Sequence, residues 1–96
     1  MDIRSLACFV AVADELHFRR AAERLPLTQP ALSQRIHALE QTIGTVLLDR
    51  DRRHVALTPA GRAFLEPARA AVANAMLAKA QALRAVRGGL VRCIHA

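Results

Sequence analysis

Thr28, Gln29, Pro30, Ser33, Gln34 and His37 fall within ten consecutive residues and bring amides, hydroxyls, an imidazole and a proline ring together. Their chemistry is that of reading a polar template. A glutamine amide donates and accepts at once, as the N6/N7 edge of adenine requires. Short hydroxyls suit phosphate oxygens, and a pyrrolidine ring can press on a thymine methyl. Gln29 is the best base reader, with a cap or turn hydrogen bond as its structural alternative. Pro30 can meet a methyl group while also starting a helix. Thr28 and Ser33 suit phosphate, though Thr28 has a second use as a cap. Ala31 lies within the same first turn. Gln34 faces outward one position beyond Ser33, and Arg35 has either phosphate or a solvated rim as its environment.

These groups need a helix to hold them. Leu32, Ile36 and Leu39 recur at helical spacing on the opposite side, so one stripe is buried and the polar face is left outside. Thr28 is the N-cap, Pro30 belongs in the first turn, and Gly44 ends the helix. A helix of this kind fits a DNA major groove. A preceding helix runs from about Phe18 to Leu25, with Phe18, Ala21, Ala22 and Leu25 inward, and Pro26 ends it. An earlier one spans about Asp2 to Glu15. Its stripe is Leu6, Phe9, Val10 and Ala13, widened by Val12 and Leu16. Downstream, Val46-Leu47-Leu48 and Val55-Ala56-Leu57 flank a charged turn from Asp49 to His54, which predicts a short two-stranded wing. The prediction is a mainly α fold, a three-helix core plus wing.

Thr58-Pro59 then opens a long helix that persists to about Arg87 and stops at Gly88-Gly89. At about 1.5 Å per residue it spans about 40 Å. Pro67 removes one of its backbone hydrogen bonds and favours a kink near Ala63. Leu65, Val72, Met76, Leu83 and Val86 form a stripe, filled in by Ala68 and Ala75. The first two turns dock on the chain's own core, and beyond them the stripe predicts pairing with a second copy. The expected division is a DNA-binding domain over 1–58, a linker helix over 59–87, and, over 88–96, a tail or the truncated start of an effector domain.

Ninety-six residues carry 14 Lys plus Arg against 8 acidic residues, a net charge of +6. The arginines cluster at Arg19-Arg20, Arg50, Arg52-Arg53, Arg84 and Arg87, a pattern that suits nucleic acid. Three Phe and no Trp or Tyr speak against stacking platforms for single strands or RNA. Cys8 and Cys93 make neither a disulfide framework nor a metal site, and His17, His54 and His95 do not cluster as ligands. The apolar N-terminus is too short for a membrane span and lacks a basic start, which gives a cytoplasmic expectation with no membrane partner.

The segment AAERLPLTQPALSQRIHALEQTIGTVLLDRDRRHVALTPAG closely resembles the N-terminal DNA-binding domain of LysR-type transcriptional regulators. The resemblance runs from Met1 to about Gly89. It rests on Phe9, Ala21-Ala22 with Leu25, the Thr28–Ser33 run, Ile36, Leu39-Glu40, Leu47-Leu48, Arg50, Arg53, Val55 and Leu57-Thr58-Pro59-Ala60-Gly61. It implies a winged helix-turn-helix, with the third helix in the major groove and the wing beside the minor groove. It also implies antiparallel pairing of two linker helices in a homodimer. The implied site is an interrupted inverted repeat of double-stranded DNA. Longer members form tetramers and add a C-terminal effector domain. A small-molecule inducer would bind there, so no cofactor is expected in residues 1–96, and RNA polymerase is a candidate partner. Many members carry Arg where this chain has Gln34. At the wing, Arg53 is the best candidate for a minor-groove or phosphate contact and Arg52 the second. Arg50 matches the family but has an equal reading as a salt bridge to Asp49, Asp51 or Glu40. Arg19 and His37 each have phosphate or solvent as alternatives.

Catalysis is not expected, because Ser33 lacks an evident base and there is no glycine-rich phosphate loop. The rival from another class is an interaction module whose long helix forms mixed dimers with a full-length regulator. A small-molecule sensor of another winged-helix type has no pocket residues in its favour.

Overall fold

The structure of the protein, a computed structural model, describes residues 1–51 and 54–87. Four helices and a two-stranded sheet follow one another as α1 (Ile3–Glu15), α2 (Phe18–Arg24), α3 (Gln29–Ile43), β1 (Leu48–Arg50), β2 (Val55–Leu57) and α4 (Pro59–Arg87). The fold is a winged helix-turn-helix with a long C-terminal helix.

Each helix starts where a side chain can take an unpaired N–H. Asp2 caps α1, its Oδ1 accepting the Ser5 N–H at 2.8 Å. That bond holds the Asp2 carboxyl below its ordinary range. His17 caps α2 through Nδ1, which accepts the Arg20 N–H at 3.3 Å. Thr28 caps α3, with Oγ1 accepting the Ala31 N–H at 3.2 Å. Gly44 closes α3 at φ 94°, a left-handed conformation that suits a residue without Cβ.

Leu16 departs from its expected place in the apolar stripe of α1. It is the C-cap, at φ 50°, and its side chain is 48% exposed. The left-handed turn that ends α1 rotates it away from the core. Cys8 and Ala11 are buried on α1 instead. Burial pushes the Cys8 thiol up from its ordinary value, so it stays protonated at neutral pH.

Phe9, Val12, Leu32, Ile36 and Leu39 are the centre of the core, none more than 1% exposed. Each such side chain contributes roughly 1.5–3 kcal/mol through burial. Phe64 of α4 meets Phe9 edge to face, with ring centroids 5.3 Å apart. Buried Ala21 and Ala22 let α2 pack closely on α1 and α3, and buried Ala68 lets α4 pack closely on α1. The helix α4 is continuous through Pro67. Its docking on the chain's own core extends past the expected two turns, to Ala71 and Val72.

The wing differs from expectation in one strand. β1 begins at Leu48 and includes Asp49 and Arg50, pairing antiparallel as Leu48↔Leu57, Asp49↔Ala56 and Arg50↔Val55. The turn is correspondingly tighter. Asp51 and His54 close it, with the Asp51 N–H donating to the His54 carbonyl at 3.0 Å and the His54 N–H to Asp51 Oδ1 at 2.6 Å.

Asp14 ties three helices together. Its carboxylate accepts from Arg69 of α4 at 2.6 Å and from Arg24 of α2 at 3.2 Å. The Arg69 hydrogen bond is the main reason its carboxyl titrates below the ordinary 3.8. A carboxyl lowered in the folded state adds stability above its unfolded value, and that contribution is lost as pH falls through the folded value. Asp14→Asn should therefore lower the urea midpoint at pH 7. The gap from the unsubstituted chain should close as pH falls below about 4. A gap independent of pH would assign the effect to packing.

Candidate nucleic-acid interface

The outer face of α3 carries the polar side chains predicted for it. Gln29, Pro30, Gln34, His37 and Gln41 are exposed, while Leu32, Ile36 and Leu39 are buried on the far side. Thr28 is exposed and acts as the cap. Ala31 and Ser33 are half-buried at the edge of the face.

Arg35 does not join that face. Successive helical residues point about 100° apart, and Arg35 follows Gln34 round toward α1. It lines a shallow cleft with Arg4, Ala7, Cys8, Leu25 and Leu27. Its charge acts on both Asp2 and Cys8.

Arg50 is likewise turned inward, toward Glu40, one of the ion-pair partners that its sequence position allowed. Its side chain is 24% exposed, and its guanidinium carbon stands 4.5 Å from the Phe18 ring centroid. Nη1 donates to Ser33 Oγ at 2.7 Å. Nη2 lies 4.0 Å from Glu40 Oε1, so Glu40 is the carboxylate that Arg50 faces. A guanidinium has no proton-accepting atom, so this contact does not prepare Ser33 as a nucleophile. Arg52 and Arg53 lie outside the described residues.

Glu40, which the sequence offered only as an ion-pair partner for Arg50, has a second use as the anchor of the wing. It is buried on the flank of the α3 stripe, 8% exposed. Oε2 accepts the N–H of Leu47 at 2.7 Å and of Leu48 at 3.2 Å. These charge-assisted bonds set where the wing leaves α3. His37 Nδ1 is 3.9 Å from Glu40 Oε1 at the exposed rim. The available signal was positional: Glu40 follows buried Ile36 by one helical turn, where a lone carboxylate needs donors. Thr58 completes the wing's frame. Its N–H donates to the Leu47 carbonyl at 3.0 Å, its hydroxyl donates to the Val46 carbonyl at 2.7 Å, and its Oγ1 accepts the Gly61 N–H at 3.0 Å.

The stripe on α4 is divided. Ala68 is buried in the chain's own core, so it is not available to a partner, and Leu65 and Val72 are half-buried against that core. Ala75 is half-buried. Farther along, Met76, Leu77, Leu83 and Val86 are 68%, 52%, 43% and 56% exposed. Leu77 was not among the residues expected there. Among the described residues, no helix is long and apolar enough to cross a membrane.

Comparison with known proteins agrees with this geometry. Residues 3–62 match the family model of bacterial regulatory helix-turn-helix proteins of the lysR family. The chain is 52% identical over 95 residues to the HTH-type transcriptional regulator ShiR of Corynebacterium glutamicum, covering 99% of this chain and 32% of that protein. It thus spans about a third of the length of such relatives, or less. The CbnR_DBD–DNA complex contains a chain 40% identical, with a TM-score of 0.82, covering 90% of this chain and 99% of that one. The BenM_DBD complex with catB site 1 DNA gives 37% identity and a TM-score of 0.85, covering 90% of this chain and 97% of that one. By the span of the family match and the likeness of the whole fold, this chain belongs to the LysR family of bacterial helix-turn-helix regulatory proteins.

Proposed function

We propose that this chain is the sequence-reading module of a transcriptional regulator that binds an interrupted inverted repeat of double-stranded DNA as a homodimer. One observation carries the reading. The exposed face of α3 presents Gln29, Pro30, Gln34, His37 and Gln41, with no lysine, arginine or carboxylate among them, backed by a fully buried aliphatic stripe. A face without net charge gains little from general attraction to phosphate and is suited to base edges. The net charge of +6 supplies the general attraction separately. Related DNA-binding domains in the CbnR and BenM complexes are bound to DNA, which supports the same use here.

Gln29 is the primary base reader in this proposal, with Pro30 and Gln34 beside it. Thr28 and Ser33 lie toward the sugar–phosphate backbone, and Arg52 and Arg53 are assigned to the wing's contacts by sequence alone. The exposed residues Met76, Leu83 and Val86 pair two copies. In a longer protein, an effector domain would add inducer control, tetramer formation and communication with RNA polymerase.

Selection from random duplex DNA, followed by sedimentation of the complex, tests the proposal. A symmetric enriched site bound by two copies is the expected result. Salt-sensitive binding without enrichment would favour a partner-modulating module that forms mixed dimers with a longer regulator. On the selected site, Gln29→Ala should cost roughly 1–3 kcal/mol per half-site and relax base choice at one position. Equal losses on the selected and scrambled duplexes would remove Gln29 from base reading.

A further inference from the structure

We propose that Arg50 is a positioning residue that sets Ser33 to donate a hydrogen bond to the DNA, an inference that rests on the DNA-reading function above. Arg50 reaches from β1 to the edge of the reading face of α3. Its Nη1 donates to Ser33 Oγ at 2.7 Å. A guanidinium carries only donors, so Ser33 accepts in this bond. One lone pair of the hydroxyl is occupied, and its hydrogen is left to point elsewhere. The adjacent positive charge polarises the O–H bond and strengthens it as a donor.

The guanidinium is itself held on two other sides. It stands over the Phe18 ring, 4.5 Å from the centroid, and Nη2 is 4.0 Å from Glu40 Oε1. Nη2 is shielded from solvent and has no hydrogen-bond partner among the described residues. A buried donor without a partner is unfavourable, and here the ring and the Glu40 carboxylate offset that cost. Glu40 also fixes the start of the wing through the N–H groups of Leu47 and Leu48. Wing placement and Ser33 orientation are therefore set by one connected network. Arg50 shapes recognition without touching DNA, and Ser33 takes an acceptor: a phosphate oxygen, or a base acceptor such as guanine O6/N7 or thymine O4.

A double-mutant cycle on the full chain tests this. Ser33→Ala, Arg50→Gln and the double variant are titrated by anisotropy against the selected duplex and a scrambled duplex, over a range of salt. Each single variant should lose about tenfold in affinity per half-site, the usual scale for one charge-supported hydrogen bond. The double variant should lose about the same tenfold, because the two side chains act through one contact. The salt slope of every variant should match that of the unsubstituted chain. Arg50→Lys keeps a donor for Ser33 Oγ and should recover part of the loss, and it replaces Arg50→Gln if that variant fails to fold.

A loss of about a hundredfold per half-site in the double variant would overturn the proposal by giving Arg50 an independent role. So would a salt slope reduced by about 0.9 per Arg50 removed, the mark of a direct phosphate contact. Equal Ser33→Ala losses on both duplexes identify phosphate as the acceptor, and a loss confined to the selected duplex identifies a base. If Gln29→Ala weakens binding and Ser33→Ala does not, this inference fails while the DNA-reading function stands. If no duplex is selected at all, it is the function that fails.

Discussion

Leu83→Glu is expected to convert the proposed dimer to monomers and to lower affinity for a two-half-site duplex by about 10²–10⁴-fold, the scale of a lost second linked site. The reason lies in the path of the α4 stripe. Leu65 and Val72 end on the chain's own core, and the same face continues through exposed Met76, Leu83 and Val86. Contiguous apolar side chains left without cover call for a partner, and a second copy of α4 supplies a matching face under two-fold symmetry. A glutamate at Leu83 would bring a carboxylate out of water into that apolar seam. Its own domain would be unaffected, because Leu83 lies outside the core cluster. The placement of Val72 makes it the poorer test, since a charge there would also strike the core and confuse unfolding with dissociation. Sedimentation gives the mass, and far-UV circular dichroism shows that the helices persist. An intact dimer of Leu83→Glu would put the partner contact on another face.

Helix limits were legible because their caps are local. Asp2, Thr28 and Gly44 each act within a few residues of the end they define, and Thr58-Pro59 marks the start of α4 unambiguously. The polar face of α3 was legible for the same reason, since periodicity alone separates Gln29, Pro30 and Gln34 from Leu32, Ile36 and Leu39. Local information failed where a distant group decides. Val46-Leu47-Leu48 reads as a strand from composition, but Glu40 captures the Leu47 and Leu48 N–H groups from seven and eight residues back. The strand starts at Leu48, whose N–H points to Glu40 and whose partner in the ladder is Leu57. That shift carries Arg50 with it. Side chains alternate along a strand, so Arg50 shares the inward side of Leu48 while Asp49 faces out. Charge clustering could not separate Arg50 from Arg52 and Arg53, because all are arginines in one short segment. The strand register does separate Arg50 from a solvent-facing role. Ala68 shows the opposite case: a small residue in an apolar stripe was a sign of close docking on the chain's own core.

Gly61→Ala is expected to destabilise the module by about 1–3 kcal/mol, near the upper end of that range, and to shift its melting point down by roughly 10–20 °C. At an open helical position, alanine would stabilise by about 1 kcal/mol relative to glycine. Here a Cβ at Gly61 would overlap the Leu47 carbonyl oxygen, and Leu57 Cδ2 would lie 3.3 Å away. The Leu57 methyl can give by a few tenths of an ångström, but the backbone carbonyl of Leu47 does not yield easily. The Leu47 carbonyl accepts the Thr58 N–H at 3.0 Å, and the Leu47 N–H is held by Glu40 at 2.7 Å. Moving α4 outward would break the Thr58 cap, whose Oγ1 accepts the Gly61 N–H at 3.0 Å. The strain must therefore fall on the junction between α3, wing and α4. Gly44→Ala separates this steric effect from backbone conformation. Gly44 has φ 94° but open space around it, so its substitution should cost only the left-handed penalty of roughly 1–2 kcal/mol. It should also leave the wing in place. Urea midpoints give the two stabilities, and DNA affinity under folded conditions gives the position of the wing. Gly61→Ala should lower both readings, whereas Gly44→Ala should lower only the first. An unchanged midpoint for Gly61→Ala would mean that α4 can withdraw from Leu47 without loss, and that the wing is not fixed through this junction.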